Sequence, residues 1–430
     1  MNLREANLYL DRLQRFGIKL GLENIQALLD SLGRPERCFP SVHVAGTNGK
    51  GSVSAMIAAA LRRSGLKVGL YTSPHLTRVE ERFTVDGVMI PARRFCALLD
   101  RLRRTIDLLM RAGKLVYHPT YFEVLTALGF LHFAEEKVDV GVIEVGLGGR
   151  FDATNVLEPL VSVITTIAKD HEKHLGHTLR EIAFEKAGII KPGTPVVCGV
   201  RSEEALAVIR RVAAERRAPL TEVFGRGRSL RTFYDGCRYR FIYDDGRTAY
   251  GFRPSLAGRH QGENAAVAVA ALRVLGEVFR PVAKKDVIAG VENTVWAGRL
   301  ETVSRDPLVV LDGAHNEEGA EALAGFINET VGRPVVLVFA AMKDKDIPAM
   351  AARLFGLAEL VVLTKAPYKR SAAPEDLAPE AVRAGRRYVC EPDVRKAVRA
   401  ALRESAGRVP VVIAGSLFLV GEVKRLKLFG

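Results

Sequence analysis

The chain has 430 residues, enough for two domains with separate cores, and its 48% apolar content is ordinary for a globular protein. No apolar run is long enough to span a bilayer, and five cysteines scattered without a C-x-x-C pair argue against structural zinc and for a reduced, cytoplasmic protein. The net charge of +14 suits polyanions, but the arginines are spread along the chain, so charge alone does not separate a ligand site from a generally basic surface.

Residues 1–15 alternate charged and apolar positions like an amphipathic helix and unlike a signal peptide. A short apolar strand at 41–45 leads into Gly46-Thr47-Asn48-Gly49-Lys50-Gly51-Ser52, and a helix is expected over 53–63, ending before Gly65. Strand, glycine-rich loop, Lys, hydroxyl and helix form the layout of a phosphate-binding loop. Glycines let backbone N–H groups converge on phosphate oxygens, and the helix N-terminus adds partial positive charge. Lys50 would neutralise a β- or γ-phosphate. Two departures from the common spacing stand out: only Thr47 and Asn48 separate Gly46 from Gly49, and Gly51 separates Lys50 from Ser52. An ordinary Gly-rich turn is the competing reading, and the strand-to-helix context favours a nucleotide site.

Further strands are expected at 66–71, 138–145, 161–167 and 195–200, with amphipathic helices at 95–112 and 122–134. Such alternation implies an α/β fold with a mostly parallel sheet covered on both faces. Residues 220–252 read as a small antiparallel ribbon, 264–275 as an alanine-rich helix, and 293–299 as a linker. A second α/β series follows, with strands at 308–311, 335–339, 360–363 and 411–414, which places a boundary near residue 298. Nucleotide sites often lie at such interfaces, so a cleft between the two units is expected.

Polar turns concentrate at strand ends, where open α/β sheets bind ligands. Glu144 ends one apolar strand ahead of Gly146-Leu147-Gly148-Gly149 and Asp152, and is a natural magnesium ligand or else a salt-bridged acid. His171, His174 and His177 are spaced by three, as zinc ligands on a helix face would be, but Gly176 and the lack of cysteine partners weaken that reading. His171 alone joining a nucleotide–metal site is more economical. Ser73, in Thr72-Ser73-Pro74-His75, rivals Ser52 as the metal hydroxyl, with a capping turn as the alternative. In the second unit Asp312-Gly313-Ala314-His315-Asn316, with Arg299 upstream, offers an acid, an imidazole and a base. Lys186, in Glu185-Lys186-Ala187-Gly188, reads locally as an ordinary helix lysine.

Together these motifs resemble the folylpolyglutamate synthase/dihydrofolate synthase family of Mur-ligase-like ATP-dependent amide ligases, nearly end to end. Thr120-Tyr121-Phe122-Glu123, Gly258-Arg259-His260-Gln261 with Asn264, and Gly298-Arg299-Leu300-Glu301 belong to the same ordered series. The resemblance implies a P-loop NTPase-like ATP-binding central domain at 1–297, its sheet mostly parallel with a small antiparallel ribbon, and a smaller Rossmann-like glutamate-ligase domain at 298–430. It implies that Gly49, Lys50, Gly51 and Ser52 hold ATP phosphates, with Asn264, Arg299 and Asp312 contacting ATP from the far side of the cleft. Ser73, Glu144 and His171 would bind Mg2+, a monovalent cation would assist, and Lys186 would be carbamylated. Lys50, Lys186 and His315 are the expected catalytic residues. Thr120, Tyr121, Phe122, Glu123, Phe151, Asp152 and Ala153 would bind the pteroate group, and His315 and Ser416 are candidates for glutamate.

The expected reaction joins L-glutamate to dihydropteroate or to reduced folates through an acyl phosphate, in a monomer acting on small molecules without nucleic acid or membrane. A cell-wall Mur ligase is the nearest rival, but about 45 residues precede Gly46, too few for the extra substrate domain of those enzymes. A phosphate-loop ATPase working on nucleic acid would require an aromatic–basic binding module, and the sequence offers none.

Overall fold

The computed structural model describes every residue except Ile18, Leu20, Cys237 and Gly430. Strands β1 (Ser41–Ala45), β2 (Val68–Tyr71), β3 (Phe83–Val85), β4 (Val88–Met89), β5 (Val140–Glu144), β6 (Val161–Ile164), β7 (Val196–Cys198) and β8 (Leu220–Glu222) form one sheet. Its order is β4-β3-β2-β5-β1-β6-β7-β8. Every pairing is parallel except β2 with β3 and β3 with β4. Central strands of such a sheet are covered on both faces, which is why β1 and β5 are buried at every position.

One face carries the helix Lys50–Arg63, against which helices His260–Val278 and Lys284–Glu292 pack. Small residues allow this close approach: a methyl group on Gly290 would lie 2.6 Å from Ala60. Helices Ala92–Arg111 and Tyr121–Glu136 pack together around the core of the other face. Three strands, β9 (Ser229–Tyr234), β10 (Tyr239–Asp244) and β11 (Ala249–Phe252), make the antiparallel ribbon. It starts later than the sequence suggested, because residues 220–222 pair in parallel with β7 as the outermost strand of the large sheet.

The second sheet contains β12 (Glu301–Arg305), β13 (Leu308–Leu311), β14 (Val335–Phe339), β15 (Ala358–Leu363), β16 (Arg387–Cys390) and β17 (Val411–Ala414), in the order β12-β13-β17-β14-β15-β16. Only β12 runs antiparallel to its neighbour. The fold is therefore α/β, with two mostly parallel sheets and the small antiparallel ribbon. The hairpin β3–β4 and the edge strands β12 and β16 were not expected from the sequence. They are short or largely unburied, so they lack the continuous apolar signal of a central strand.

Two helices begin earlier than expected. The helix after the glycine loop starts at Lys50, since Gly49 at φ 81° supplies the turn into it, and the alanine-rich helix starts at His260. No described helix is long and apolar enough to cross a membrane. The carboxyl ends of β1, β2, β5 and β6 and those of β13, β14 and β17 open onto one cleft.

Candidate active site

A cavity of about 480 Å³ fills this cleft, and the residues expected to bind ATP, magnesium, pteroate and glutamate border it, whereas His177 does not. The glycine loop leaves β1 at the centre of the large sheet and is packed too tightly for side chains. A Cβ on Gly49 would sit 2.2 Å from Asn264 Oδ1, and one on Gly51 would sit 2.8 Å from the indole nitrogen of Trp296. Asn264 thus lies beside the loop, on a helix of the first unit, and not across the cleft as expected. Its amide donates to Gln261 Oε1 at 3.0 Å. Ser52 is buried in the first turn of the Lys50–Arg63 helix.

Lys50 folds back over its own loop, and its Nζ donates to the Gly46 and Thr47 carbonyls at 3.0 Å each. Lys186, at the end of helix Leu179–Ala187, donates to the same Gly46 carbonyl at 2.8 Å. Two ammonium groups thus share one carbonyl in a desolvated place. Burial lowers the pKa of both, and burial plus the Lys50 charge brings Lys186 down to about 7. Lys186 is therefore partly neutral at physiological pH, which no local sequence feature announced.

Glu144 ends β5 and is buried, 4% exposed. Its one hydrogen bond among the described residues comes from the Ser73 amide to Oε2, at 3.0 Å. Burial raises its pKa, against the pull of Lys50. A buried carboxylate so thinly satisfied, with the Ser73 hydroxyl also at the cavity, is suited to a cation. His171 sits at φ 52° just past β6, but its Nε2 faces the Lys345 ammonium at 3.5 Å. Among the described residues no three of His, Cys, Asp and Glu are grouped to hold a metal. The three spaced histidines do not converge; His177 is exposed and pairs with Glu172 at 3.0 Å.

The second unit meets this group through turns beyond its strands. Lys345, after β14, forms an ion pair with Asp170 in which both side chains are buried. His315 donates from Nδ1 to the Gly313 carbonyl at 2.8 Å and turns Nε2 toward Asp170 at 3.6 Å. Burial pushes the Asp170 carboxyl up, but His171, His315 and Lys345 outweigh it and hold it well below the usual range. Burial lowers both histidines to about 4, so at pH 7 they are neutral. Asn316 caps helix Glu317–Phe326 and exchanges hydrogen bonds with Asn48 of the glycine loop at 3.1 and 3.2 Å. Its amide also reaches Asp170 at 3.3 Å.

Several expected binding side chains are occupied within their own segments. Asp312 accepts from the amides of Leu300 and Ala314 at 2.9 and 2.8 Å, close to Arg299, so it fastens the linker to β13. Asp152 accepts from Leu147 and Thr154 amides at 2.8 and 3.0 Å and orders its loop, with the buried Ala153 following it. Thr120 and Glu123 cap their helix reciprocally, leaving buried Glu123 Oε1 without a partner among the described residues. Tyr121 and Phe122 line the cavity near Phe151, which is 36% exposed and packs against the Arg150 guanidinium. Ser416 caps helix Leu417–Arg425 by accepting from the Phe418 amide at 3.1 Å.

The chain matches known proteins over its full length in sequence and in fold. The Mur ligase middle domain matches residues 44–272, and the Mur ligase glutamate ligase domain matches 298–417. A dihydrofolate synthase/folylpolyglutamate synthase of Bacillus subtilis is 37% identical over 428 residues, covering 96% of each chain. The chain belongs to the folylpolyglutamate synthase/dihydrofolate synthase family. A Mycobacterium tuberculosis folylpolyglutamate synthase solved in complex with ADP superposes with a TM-score of 0.91 at 32% identity, covering 99% of both chains. Escherichia coli FolC, solved with DHPP and ADP, gives a TM-score of 0.87 at 30% identity, covering 98% of this chain and 97% of that one.

Four further residues border the cavity without a clear signal in the sequence: Asp170, Lys345, Glu318 and Arg82. Their one early signal was that Asp170 adjoins His171 in a polar turn after a strand. Lys345 gave none, since it is one charge in the run Lys343-Asp344-Lys345-Asp346.

Proposed function

We propose that this chain is an ATP-dependent ligase that joins L-glutamate to dihydropteroate, to reduced folates or to both, through an acyl phosphate. One observation carries the reading. Lys50 of the phosphate-type loop and the buried Lys186 and Glu144 share a cavity with Asp170, His315 and Lys345 and with the aromatic residues Tyr121 and Phe122. Family membership supports the same chemistry, and it disfavours both a cell-wall ligase and a nucleic-acid-stimulated ATPase.

A carboxylate is a poor electrophile, so its oxygen must first take the γ-phosphoryl group of ATP. Lys50 and the loop amides offset the charge that gathers as two anions approach. Ser73, Glu144 and His171 would hold Mg2+, which supplies Lewis-acid stabilisation of the phosphates when bound. Lys186, with a pKa near 7, is available as a free amine to take up CO2, which would turn it from cation to anion beside the metal. His315 and Ser416 are assigned to the incoming glutamate, whose amine attacks the acyl carbon and expels phosphate. Asn264, Arg299 and Asp312 are assigned to ATP. Thr120, Tyr121, Phe122, Glu123 and 151–153 are assigned to the pteroate group, with Tyr121, Phe122 and Phe151 offering contact surface. Division into an ATP-binding unit at 1–297 and a glutamate-ligase unit at 298–430 accounts for the cleft between two sheets, whose closure would keep water from the intermediate.

Incubation with ATP, magnesium, L-glutamate and either dihydropteroate or a reduced folate tests the reading by mass spectrometry. The expected product carries an added glutamyl residue. Failure of both acceptors to gain one, with ATP turnover that responds to DNA or RNA, overturns it.

A further inference from the structure

We propose that Arg370 determines acceptor specificity by binding the free carboxylate of a glutamyl residue that the acceptor already carries, beside the carboxylate being activated. This rests on the glutamate-ligase reading above. Dihydropteroate presents one carboxylate, the one that reacts. A glutamylated folate presents a second one a few bonds away, and a protein that accepts such acceptors needs a cation at that place.

The segment around Arg370 is held firmly. Met342 and Ser371 form an isolated antiparallel bridge, and the Lys343 amide donates to the Arg370 carbonyl at 2.8 Å. Ser371, 1% exposed, donates its amide to the Tyr368 carbonyl at 2.9 Å and accepts from the Ala366 amide at 3.0 Å. The Tyr368 ring stacks on Phe418 at 4.2 Å with planes 11° apart, and the Arg370 guanidinium lies 5.3 Å from the Tyr368 ring centre. Such bracing fixes the backbone that carries the exposed Arg370 side chain before a ligand arrives, which lowers the cost of binding.

The position is right as well. Arg370, Asp344 and Phe418 border the main cavity. Arg370 Nη1 contacts Asp344 Oδ2 at 3.2 Å, and the next residue, Lys345, holds Asp170 at the reaction cluster. Tyr121 borders the same cavity. Two neighbouring cations have partners of their own: Lys345 pairs with Asp170, and buried Arg82 donates to His75 Nδ1 at 3.0 Å. Arg370 spends one side-chain hydrogen bond on Asp344, and a guanidinium has five N–H donors in a fork that suits a carboxylate. A cation on an aromatic plate, one residue from the reacting centre, is what an acceptor with an aromatic amide and a spare carboxylate would meet.

The test compares three acceptors: a glutamylated reduced folate, the same folate with its non-reacting carboxylate converted to the carboxamide, and dihydropteroate. In the unaltered enzyme the carboxamide should have a KM about tenfold higher than the acid, the scale of one charged hydrogen bond. Arg370→Gln should raise KM for the acid about tenfold, leave kcat within about twofold, and abolish the preference for acid over carboxamide. Dihydropteroate should be unaffected wherever it is a substrate, and Arg370→Lys should fall between. An Arg370→Gln enzyme that keeps the acid preference overturns the assignment, as does one whose KM rises equally for every acceptor. An unaltered enzyme that glutamylates no acceptor refutes the ligase reading itself, and this assignment falls with it.

Discussion

In the first unit the groups at the cleft are rooted in the core. Glu144 is the last residue of a strand buried along its length, and the loop before Lys50 leaves the central strand of an eight-stranded sheet. In the second unit the facing groups ride on turns past the strands, as His315 does after β13, Lys345 after β14 and Arg370 after β15. The first arrangement fixes charges at a high desolvation cost, which shows in the shifted pKa values of Lys50, Lys186 and Glu144. The second carries its groups on turns across the cleft, outside the strands themselves. Phosphate chemistry tolerates little misplacement, whereas acceptor and amine recognition must assemble and release on each cycle.

Substitutions on the two sides should therefore fail differently. Lys50→Ala is expected to cost about a thousandfold in kcat, the scale of losing a charge-stabilising donor, with little change in melting temperature. Steady-state ligation and a thermal melt check it; a large melting shift with modest loss of rate would erase the contrast. Lys186→Ala should cost about a hundredfold, partly restored by added short carboxylates that replace a carbamate. Unchanged turnover, or no response to formate or acetate, would remove the carbamate from the mechanism.

Across the seam, Asn316→Ala loses a helix cap worth about 1 kcal/mol and its contacts with Asn48. Substrate KM should rise severalfold, and the melting temperature should drop by about 2–4 °C. A fall in kcat with KM unchanged would instead place Asn316 with the chemistry of the first side.

The smallest expected effect concerns pH. Burial holds His43 at a pKa of about 3 and His132 at about 4, against an ordinary 6.5. The unfolded chain therefore takes up protons first as pH falls. Their contribution is full above about pH 6.5 and is progressively lost down to about pH 4. Urea midpoints between pH 7.5 and 4.5 should fall accordingly. His43→Gln, whose amide can still reach Thr154 where His43 Nε2 now lies at 2.8 Å, should flatten the slope. An equally steep slope in that variant counts against His43 as a source.

The same contrast explains what the sequence revealed. Glycine loops, strand-end acids and the alternation of strands and helices are local patterns, so the central sheet and the residues around Gly49, Glu144 and His171 could be read directly. Lys345 and Asp170 are charged residues in polar turns, and only folding shows that they are buried against each other. The pKa of Lys186 likewise depends on Lys50 sharing the Gly46 carbonyl, a contact between residues 140 positions apart. Asp152 and Asp312 show the converse: acids at suggestive places whose oxygens are used by nearby amides.

The chain has a single tryptophan, and the indole of Trp296 lies against Gly51 in the segment that joins the two units. Its emission spectrum therefore reads out the polarity at the back of the phosphate loop, with no label and no competing fluorophore of its kind. A parting of the units or a tightening of the loop by nucleotide would change the surroundings of that one ring, so stopped-flow fluorescence would time any opening of the enzyme directly.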